Sequence, residues 1–319
     1  MYKKLKVALV IPCHNEEKLI VPTLENVPKT IDKVYVMDDA SKDRTAEIVT
    51  NWKDKRVELV KFHEKKNPRG PGHGIIAGYQ KASRYGYDVV VVIGGDNQMD
   101  LTDLPNFLEP FVKDEADYVK GNRFLGVNAS AVNVMPGKRF FGNSMLSVMT
   151  KFASGYWNVF DTQDGYTAIS KKAIDIIDWK EVWGGYGYVS DFLVVFNRYN
   201  LRVKDVPRRA IYLPGERQSQ IKIGRYIRRM APLLIKRFFW RLKNKYLFQE
   251  FHPLVFFYFF GILFIPIGII LGIRALYFAI VGAAPTNETI LSALFIITGL
   301  QFFLFAMLFD MQANEKLQR

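Results

Sequence analysis

Residues 94–100 read GGDNQMD and follow directly on the apolar run Asp88 to Ile93 (DVVVVI). A short apolar run bounded by turn residues reads as a buried strand. Asp96 then emerges at its carboxyl end, the edge at which open parallel α/β sheets bind ligands. Asp38 and Asp39 follow the run Lys33 to Met37 (KVYVM) in the same way, so two strand ends offer carboxylates to one crevice. Carboxylates gathered there hold a divalent cation, and the cation holds a diphosphate. This chemistry first points to a sugar-nucleotide enzyme.

Outward from these runs, residues 1 to about 213 alternate short apolar stretches with helical patterns. Strands are expected at Leu5 to Ile11, Lys33 to Met37, Val57 to Phe62, Asp88 to Ile93, Ala116 to Lys120 and Arg202 to Val206. Helices are expected at Asp43 to Lys53, His73 to Arg84, Leu101 to Val112, Arg139 to Ser154 and Tyr188 to Tyr199. Strands separated by helices of this length imply βαβ units and an α/β fold with a mostly parallel, doubly wound sheet. The stretch Phe124 to Lys138 is long, polar and rich in small residues, which predicts a mobile loop over the active site.

The last quarter of the chain has a different composition. Residues 254–273 (LVFFYFFGILFIPIGIILGI) and the run Ile290 to Phe309 are uncharged, and each is long enough to span a bilayer as a helix of about 20 residues. Both are apolar on all faces rather than striped, which speaks against core helices of a soluble protein. The segment Arg217 to Lys245 is rich in Lys and Arg and contains no acidic residue, whereas the turn between the two apolar runs has only Arg274 as a cation. By the positive-inside rule the N-terminal domain and both termini are expected to be cytoplasmic. The basic segment supplies most of the formal charge of +13. It interleaves cations with Ile227, Leu233, Leu234, Ile235, Phe238, Phe239, Trp240 and Leu242, a pattern that suits an amphipathic helix on anionic lipid headgroups better than nucleic acid. No cleavable signal peptide is visible, since Val7 to Ile11 is too short and runs into His14-Asn15-Glu16-Glu17. The lone Cys13 excludes a disulfide within one chain and fits a reducing compartment.

Any one aspartate after a strand could simply cap a helix. IPCHNEE, DDASKDRT and GGDNQM, each after its own strand, are together less readily explained as caps. In order and spacing, IPCHNEE, DDASKDRT, GPGHGIIAGYQKA, GGDNQMD, GNRF and DTQDGY resemble the family 2 glycosyltransferases of GT-A fold. Within that family they are most similar to the polyprenyl-phosphate glycosyltransferases, the group of dolichyl-phosphate mannose and glucose synthases. The resemblance covers residues 5 to about 222. It implies a GT-A domain over 1–221, and the composition beyond it gives a basic interfacial helix region over 222–250 and a membrane domain over 251–319 with two transmembrane helices, which agree with the resemblance.

The resemblance also implies roles for residues of this chain. Pro12, His14, Glu16, Asp38 and Asp39 stand where relatives hold the nucleotide base and ribose, and Asp96 and Gln98 stand in the metal and diphosphate site, with Mg²⁺ or Mn²⁺ as cofactor. Many relatives carry Asp-x-Asp, and Gly94 occupies the first of those positions, which leaves one carboxylate fewer. Gly70, Gly72 and Gly74 precede a helix expected to open near Ile75; side-chain-free backbone and a helix N-terminus there would approach the donor's anions. Arg123, Arg139 and Asn143 match positions that bind the acceptor phosphate, and Arg139 and Asn143, four apart, share a helix face. Arg217 and Ser219 lie in the segment that closes over the diphosphate, with Arg217 stabilising the leaving nucleotide. Asp161, Gln163 and Asp164 are expected near the sugar and the acceptor.

Asp191 stands roughly where family members that glycosylate hydroxyl groups keep a general base. A lipid phosphate needs none, because a phosphate monoester with a second pKa of about 6 is already anionic near neutrality. The expected partners are a UDP- or GDP-sugar, a polyprenyl phosphate and an anionic bilayer; self-association into a homo-oligomer is left open. Transfer to a lipid or polysaccharide hydroxyl with Asp191 as base, and a catalytically silent sugar-nucleotide sensor, stay open as alternatives at this stage.

Overall fold

In the computed structural model the described residues are 1–63, 67–125, 137–209, 211, 223–282 and 286–318. Strand β1 (Val7–Cys13) is an interior strand of the sheet, with β2 (Lys33–Asp38) and β3 (Val57–Lys61) on one side and the central strand β4 (Val89–Val92) on the other. Beyond β4 come β6 (Thr167–Ser170), β5 (Tyr118–Asn122) and β7 (Val203–Pro207), giving the order β3-β2-β1-β4-β6-β5-β7. β6 runs antiparallel to both of its neighbours, and every other pairing is parallel. Val7 to Ile11 and Val89 to Val92 are buried without alternation, as expected of strands covered on both faces.

The covering helices are α1 (Ile20–Glu25), α2 (Thr45–Thr50), α3 (Pro71–Arg84), α4 (Leu104–Val112), α5 (Gly137–Ser154), α6 (Lys171–Ile176) and α7 (Tyr188–Arg198). All six expected strands form, with ends shifted by one or two residues. The unforeseen strand is β6, whose four residues (TAIS) are too short to show a period of two. It owes its place to pairing with β4 and β5 rather than to local preference. α3 begins at Pro71, not near Ile75, because proline is preorganised for the first helical turn and lacks only an amide hydrogen that would go unused there.

The chain divides into two compact units, Met1–Phe238 with Lys316–Arg319, and Phe239–Glu315. Helix α8 (Ile223–Arg241) contributes to both and continues as a π-helical segment, Leu242–Gln249. The second unit is dominated by α9 (Leu254–Ile280) and α10 (Thr286–Ala313), both long and apolar enough to cross a membrane. They pack through small residues: a Cβ at Gly268 would lie 2.9 Å from the Ile296 nitrogen, and one at Gly299 2.9 Å from that of Ile265. Close backbone approach of this kind is how helices associate where lipid removes the hydrophobic drive.

Candidate active site

Because all strands except β6 run the same way, the carboxyl ends of β1, β2, β4, β5 and β7 share one edge. The chain enters β6 from that same edge through Asp161 to Tyr166. The strand order reverses between β1 and β4, so the crevice there is the topological switch point.

On the β1–β2 side, His14 Nδ1 lies 2.7 Å from the Asp39 carbonyl oxygen, and Pro12 is built into the strand opposite Met37. Glu16 starts the turn into α1, its amide donating to Thr45 Oγ1 at 2.8 Å. The two neighbouring aspartates have different settings. Asp39 is buried and accepts from the amides of Arg69 and Gly70 at 2.9 and 2.8 Å and pairs with His63 Nε2 at 2.6 Å. Its carboxylate therefore ties the loop before α3 to the end of β2. Asp38 is equally buried, yet its Oδ1 has no hydrogen-bond partner. A buried carboxylate oxygen left without a donor is costly, and Asp38 is the last residue of β2, at the edge where a ligand could supply the donor.

The glycine cluster is explained by packing rather than by an open cradle. A Cβ at Gly72 would fall 2.6 Å from Tyr188 Cβ and 2.8 Å from the Gly184 carbonyl oxygen, and one at Gly74 would lie 3.2 Å from the Phe62 ring. Both glycines sit inside the first turns of α3 and let the helix close on protein. Gly70, at φ +108°, is the one whose backbone conformation demands glycine.

After β4, the Asp96 carboxylate leans over Gly94: a Cβ there would stand 2.8 Å from Asp96 Oδ1. The missing first carboxylate has thus left space that the second one uses. Asp96 accepts from the Gln98 amide at 3.3 Å. Burial is the main reason its carboxyl is pushed above the ordinary range, opposed by that amide and by Arg208. Among the described residues no three His, Cys, Asp or Glu side chains converge on a metal position. A single carboxylate still fits Mg²⁺ or Mn²⁺, which take the rest of their shell from diphosphate and water.

On the β5–β7 side lies a buried ionic network. Asp161 holds Arg123 in a fork, with Nε at 2.7 Å and Nη2 at 2.8 Å. Asp164 takes Arg208 Nε at 2.7 Å and lies 3.2 Å from Arg123 Nε. Arg208 Nη1 also donates to the Gln98 carbonyl oxygen at 3.1 Å, joining this side to the Asp96 loop. Beneath them Lys120, without exposed surface, donates to the carbonyl oxygens of Gly121 and Asp161 and lies 3.7 Å from Asp205. Burial raises the Asp161 carboxyl, but the Arg123 hydrogen bonds and the charges of Arg123 and Lys120 outweigh it and hold it below the usual range. Asp161 and Asp164, expected as contacts for sugar or acceptor, are committed to arginines instead. Their chemistry is to orient those guanidinium groups.

Asn143 lies one turn before Ser147 on α5, and Ser147 Oγ is 3.3 Å from Thr162 Oγ1, so Asn143 shares the face turned to this loop. Gln163 is fixed at both ends of its amide: Nε2 donates to Thr162 Oγ1 and Ser190 Oγ, each at 3.1 Å, and Oε1 accepts from Tyr226. Arg217, Ser219 and residues 126–136 of the expected 124–138 loop lie outside the described residues, as does the Arg139 side chain, whereas Gly137 and Lys138 already belong to α5. Asp191 has no exposed surface. It is held by Arg237 Nη2 at 2.9 Å and by the Trp183 amide at 2.7 Å. This counts against the alternative in which Asp191 is the base for a hydroxyl acceptor, because its carboxylate is enclosed by an arginine and a backbone amide.

Lys120, Arg208, Asp205 and Tyr226 were not foreseen. Arg208 had a usable signal, since it is the first residue after β7 and obeys the same strand-end rule as Asp96. Lys120 had one too, as a cation inside a buried strand.

The family model for "Glycosyl transferase family 2" matches residues 8–177. Among similar proteins is the UDP-N-acetylglucosamine–dolichyl-phosphate N-acetylglucosaminyltransferase of Methanococcus voltae, 29% identical over 219 residues, covering 64% of this chain and 85% of that one. The undecaprenyl-phosphate mannosyltransferase of Micrococcus luteus is 29% identical over 209 residues, covering 64% and 82%. In fold, the chain resembles glucosyl-3-phosphoglycerate synthase from Mycobacterium tuberculosis, solved with Mn²⁺ and UDP-glucose, at TM-score 0.53 and 18% identity over 73% of this chain and 79% of that one. A mostly parallel sheet with one reversed strand, acidic residues at the switch point and a family match over half the chain lead to one conclusion: the chain belongs to glycosyl transferase family 2, with the GT-A fold.

Proposed function

We propose that this chain transfers one hexose from a UDP- or GDP-sugar to a polyprenyl phosphate, of the dolichyl or undecaprenyl kind, with inversion. The observation that carries this reading is a single edge shared by the Asp96 carboxylate after β4 and the buried arginines Arg123 and Arg208 after β5 and β7. A nucleoside diphosphate with its cation suits the first, and guanidinium groups held in fixed orientation suit the oxygens of a phosphate monoester. The names of the relatives favour a lipid phosphate as acceptor, and α9 and α10 are suited to keep the enzyme where such a lipid resides.

In this reading Asp38, with its unpartnered Oδ1, and His14 receive the base and ribose, while Pro12, Glu16, Asp39 and Gly70 shape the loops around them. Asp96 and Gln98 hold the diphosphate end. A divalent cation bound there would neutralise charge on the diphosphate and act as a Lewis acid. Arg123, Arg139 and Asn143 hold the acceptor phosphate, already anionic near neutral pH. One of its oxygens attacks the anomeric carbon, the bond from that carbon to the diphosphate oxygen breaks, and the electron pair leaves with the nucleotide. Arg217 and Ser219 close over that leaving group. The exposed Arg228, Arg229 and Lys236 on α8 suit anionic headgroups of the cytoplasmic leaflet, with the catalytic unit and both termini on that side.

The test is transfer of radiolabel from a panel of UDP- and GDP-sugars in membranes, with and without added polyprenyl phosphate. Label reaching the organic phase only with polyprenyl phosphate supports the proposal; label reaching lipid without it overturns the acceptor. Gly94→Asp restores a second carboxylate beside Asp96, whose flexible side chain can give way. It is expected to lower the Mn²⁺ concentration for half-maximal transfer about tenfold, since ligand charge tunes cation affinity.

A hydroxyl acceptor would need Asp191 as base, and its burial against Arg237 argues against that. Asp191→Asn is accordingly expected to lower Tm while leaving the shape of the pH–rate profile unchanged. Loss of the acidic limb of that profile would reinstate a base.

A further inference from the structure

Helix α8 turns Tyr226, Met230, Leu234 and Arg237 toward the catalytic unit and leaves Arg228, Arg229, Ile235 and Lys236 exposed. Spacings of four, four and three put the inward residues on one face. This face meets the start of α7 at Gly187, where φ is +87° and a Cβ would fall 2.4 Å from Met230 Sδ and 2.9 Å from the Tyr226 hydroxyl oxygen. Only a residue without a side chain lets α8 seat this closely. Farther along, Arg237 Nη2 donates to the Glu181 carbonyl oxygen at 2.6 Å as well as to Asp191. At the other end the Tyr226 hydroxyl donates to Gln163 Oε1 at 2.7 Å. Burial pushes the Tyr226 phenol up to about 12, so it remains a donor at neutral pH.

Gln163 lies between Asp161 and Asp164, which hold Arg123 and Arg208. We infer that Tyr226 is a positioning residue for the acceptor half of the site, acting through Gln163 on the loop that orients Arg123 and Arg208. This inference rests on the proposed acceptor. The donor side has supports of its own, Asp38 accepting from Ser41 and Asp96 from Gln98, and meets this loop through the bond from Arg208 to the Gln98 carbonyl oxygen, so losing the Tyr226 hydroxyl should reach donor binding much less than acceptor binding. The basic, amphipathic helix that suits the membrane surface thereby sets the geometry that receives a phosphate carried by a lipid.

The experiment compares the full-length wild type with Tyr226→Phe in lipid nanodiscs, measuring KM and kcat for undecaprenyl phosphate and, separately, the affinity for UDP or GDP. The variant is expected to lose about three- to tenfold in kcat/KM for the acceptor, the scale of one hydrogen bond, with nucleotide affinity within about twofold. Gly187→Ala, which pushes α8 outward, is expected to reproduce that split. An unchanged acceptor kcat/KM in a wild-type background that does transfer would overturn the inference alone. Parallel loss of nucleotide affinity, acceptor kcat/KM and Tm in both variants would overturn it too, by showing a merely structural bond. A wild type that transfers sugar to no polyprenyl phosphate removes the proposed acceptor, and the inference with it.

Discussion

Replacing Asp96 by Asn is expected to lower transfer about 100- to 1,000-fold, the scale on which one charge-stabilising group is lost from a preorganised site. The substitution keeps shape and removes charge. Gly94 supplies no carboxylate and Asp100 is engaged by Thr102 at the next helical turn, so neither neighbour in that motif is placed to take over. The stability readout should go the other way. Burial penalises the Asp96 anion, and an amide in its place relieves that penalty, so Tm should be unchanged or higher. A strained charge kept for function at the expense of stability is the usual signature of an active site. Activity within about tenfold of wild type would remove Asp96 from the diphosphate site.

Asp161→Ala is expected to destabilise the catalytic unit by about 3–5 kcal/mol, the cost of stripping a buried charge of its partner. Asp161 is 1% exposed, so solvent cannot replace what it gives Arg123. Lys120 also loses a counter-charge. Urea unfolding of variant and wild type is the check, with a change below about 1 kcal/mol counting against the network. The pH dependence has a definite sign. The folded carboxyl of Asp161 is depressed, so its contribution is fully present above the unfolded value near ~4 and is lost as pH falls through the folded value. The wild type should therefore lose stability in acid more steeply than the variant.

Much of the strand and helix pattern was legible because burial writes itself locally. Valines in succession mark β4, and polar Asp96 after them marks its exit. The same logic found Asp38 and Asp39 but could not separate them, because both are aspartates after one strand. Only the fold back of the loop before α3 gives Asp39 its donors and leaves Asp38 Oδ1 with none. The glycines of GPGHG looked like a ligand cradle; Gly72 is instead the space into which Gly184 and Tyr188 fit, a contact across more than a hundred residues that no local pattern encodes.

Composition and periodicity alone were enough for the α/β class, the paired apolar helices, the basic helix beside them and the acidic strand ends, since each depends on neighbours within a few turns or residues. The tertiary structure decided which charges act on ligands and which on one another. Asp161, Asp164 and Asp191 carry the same side chain as Asp96, yet each is closed by an arginine from a distant segment: Arg123, Arg208 and Arg237. A carboxylate's role is set by whether its counter-charge comes from the protein or must come from a ligand, and that depends on long-range pairing that exists only once β5, β6, β7 and α8 have come together.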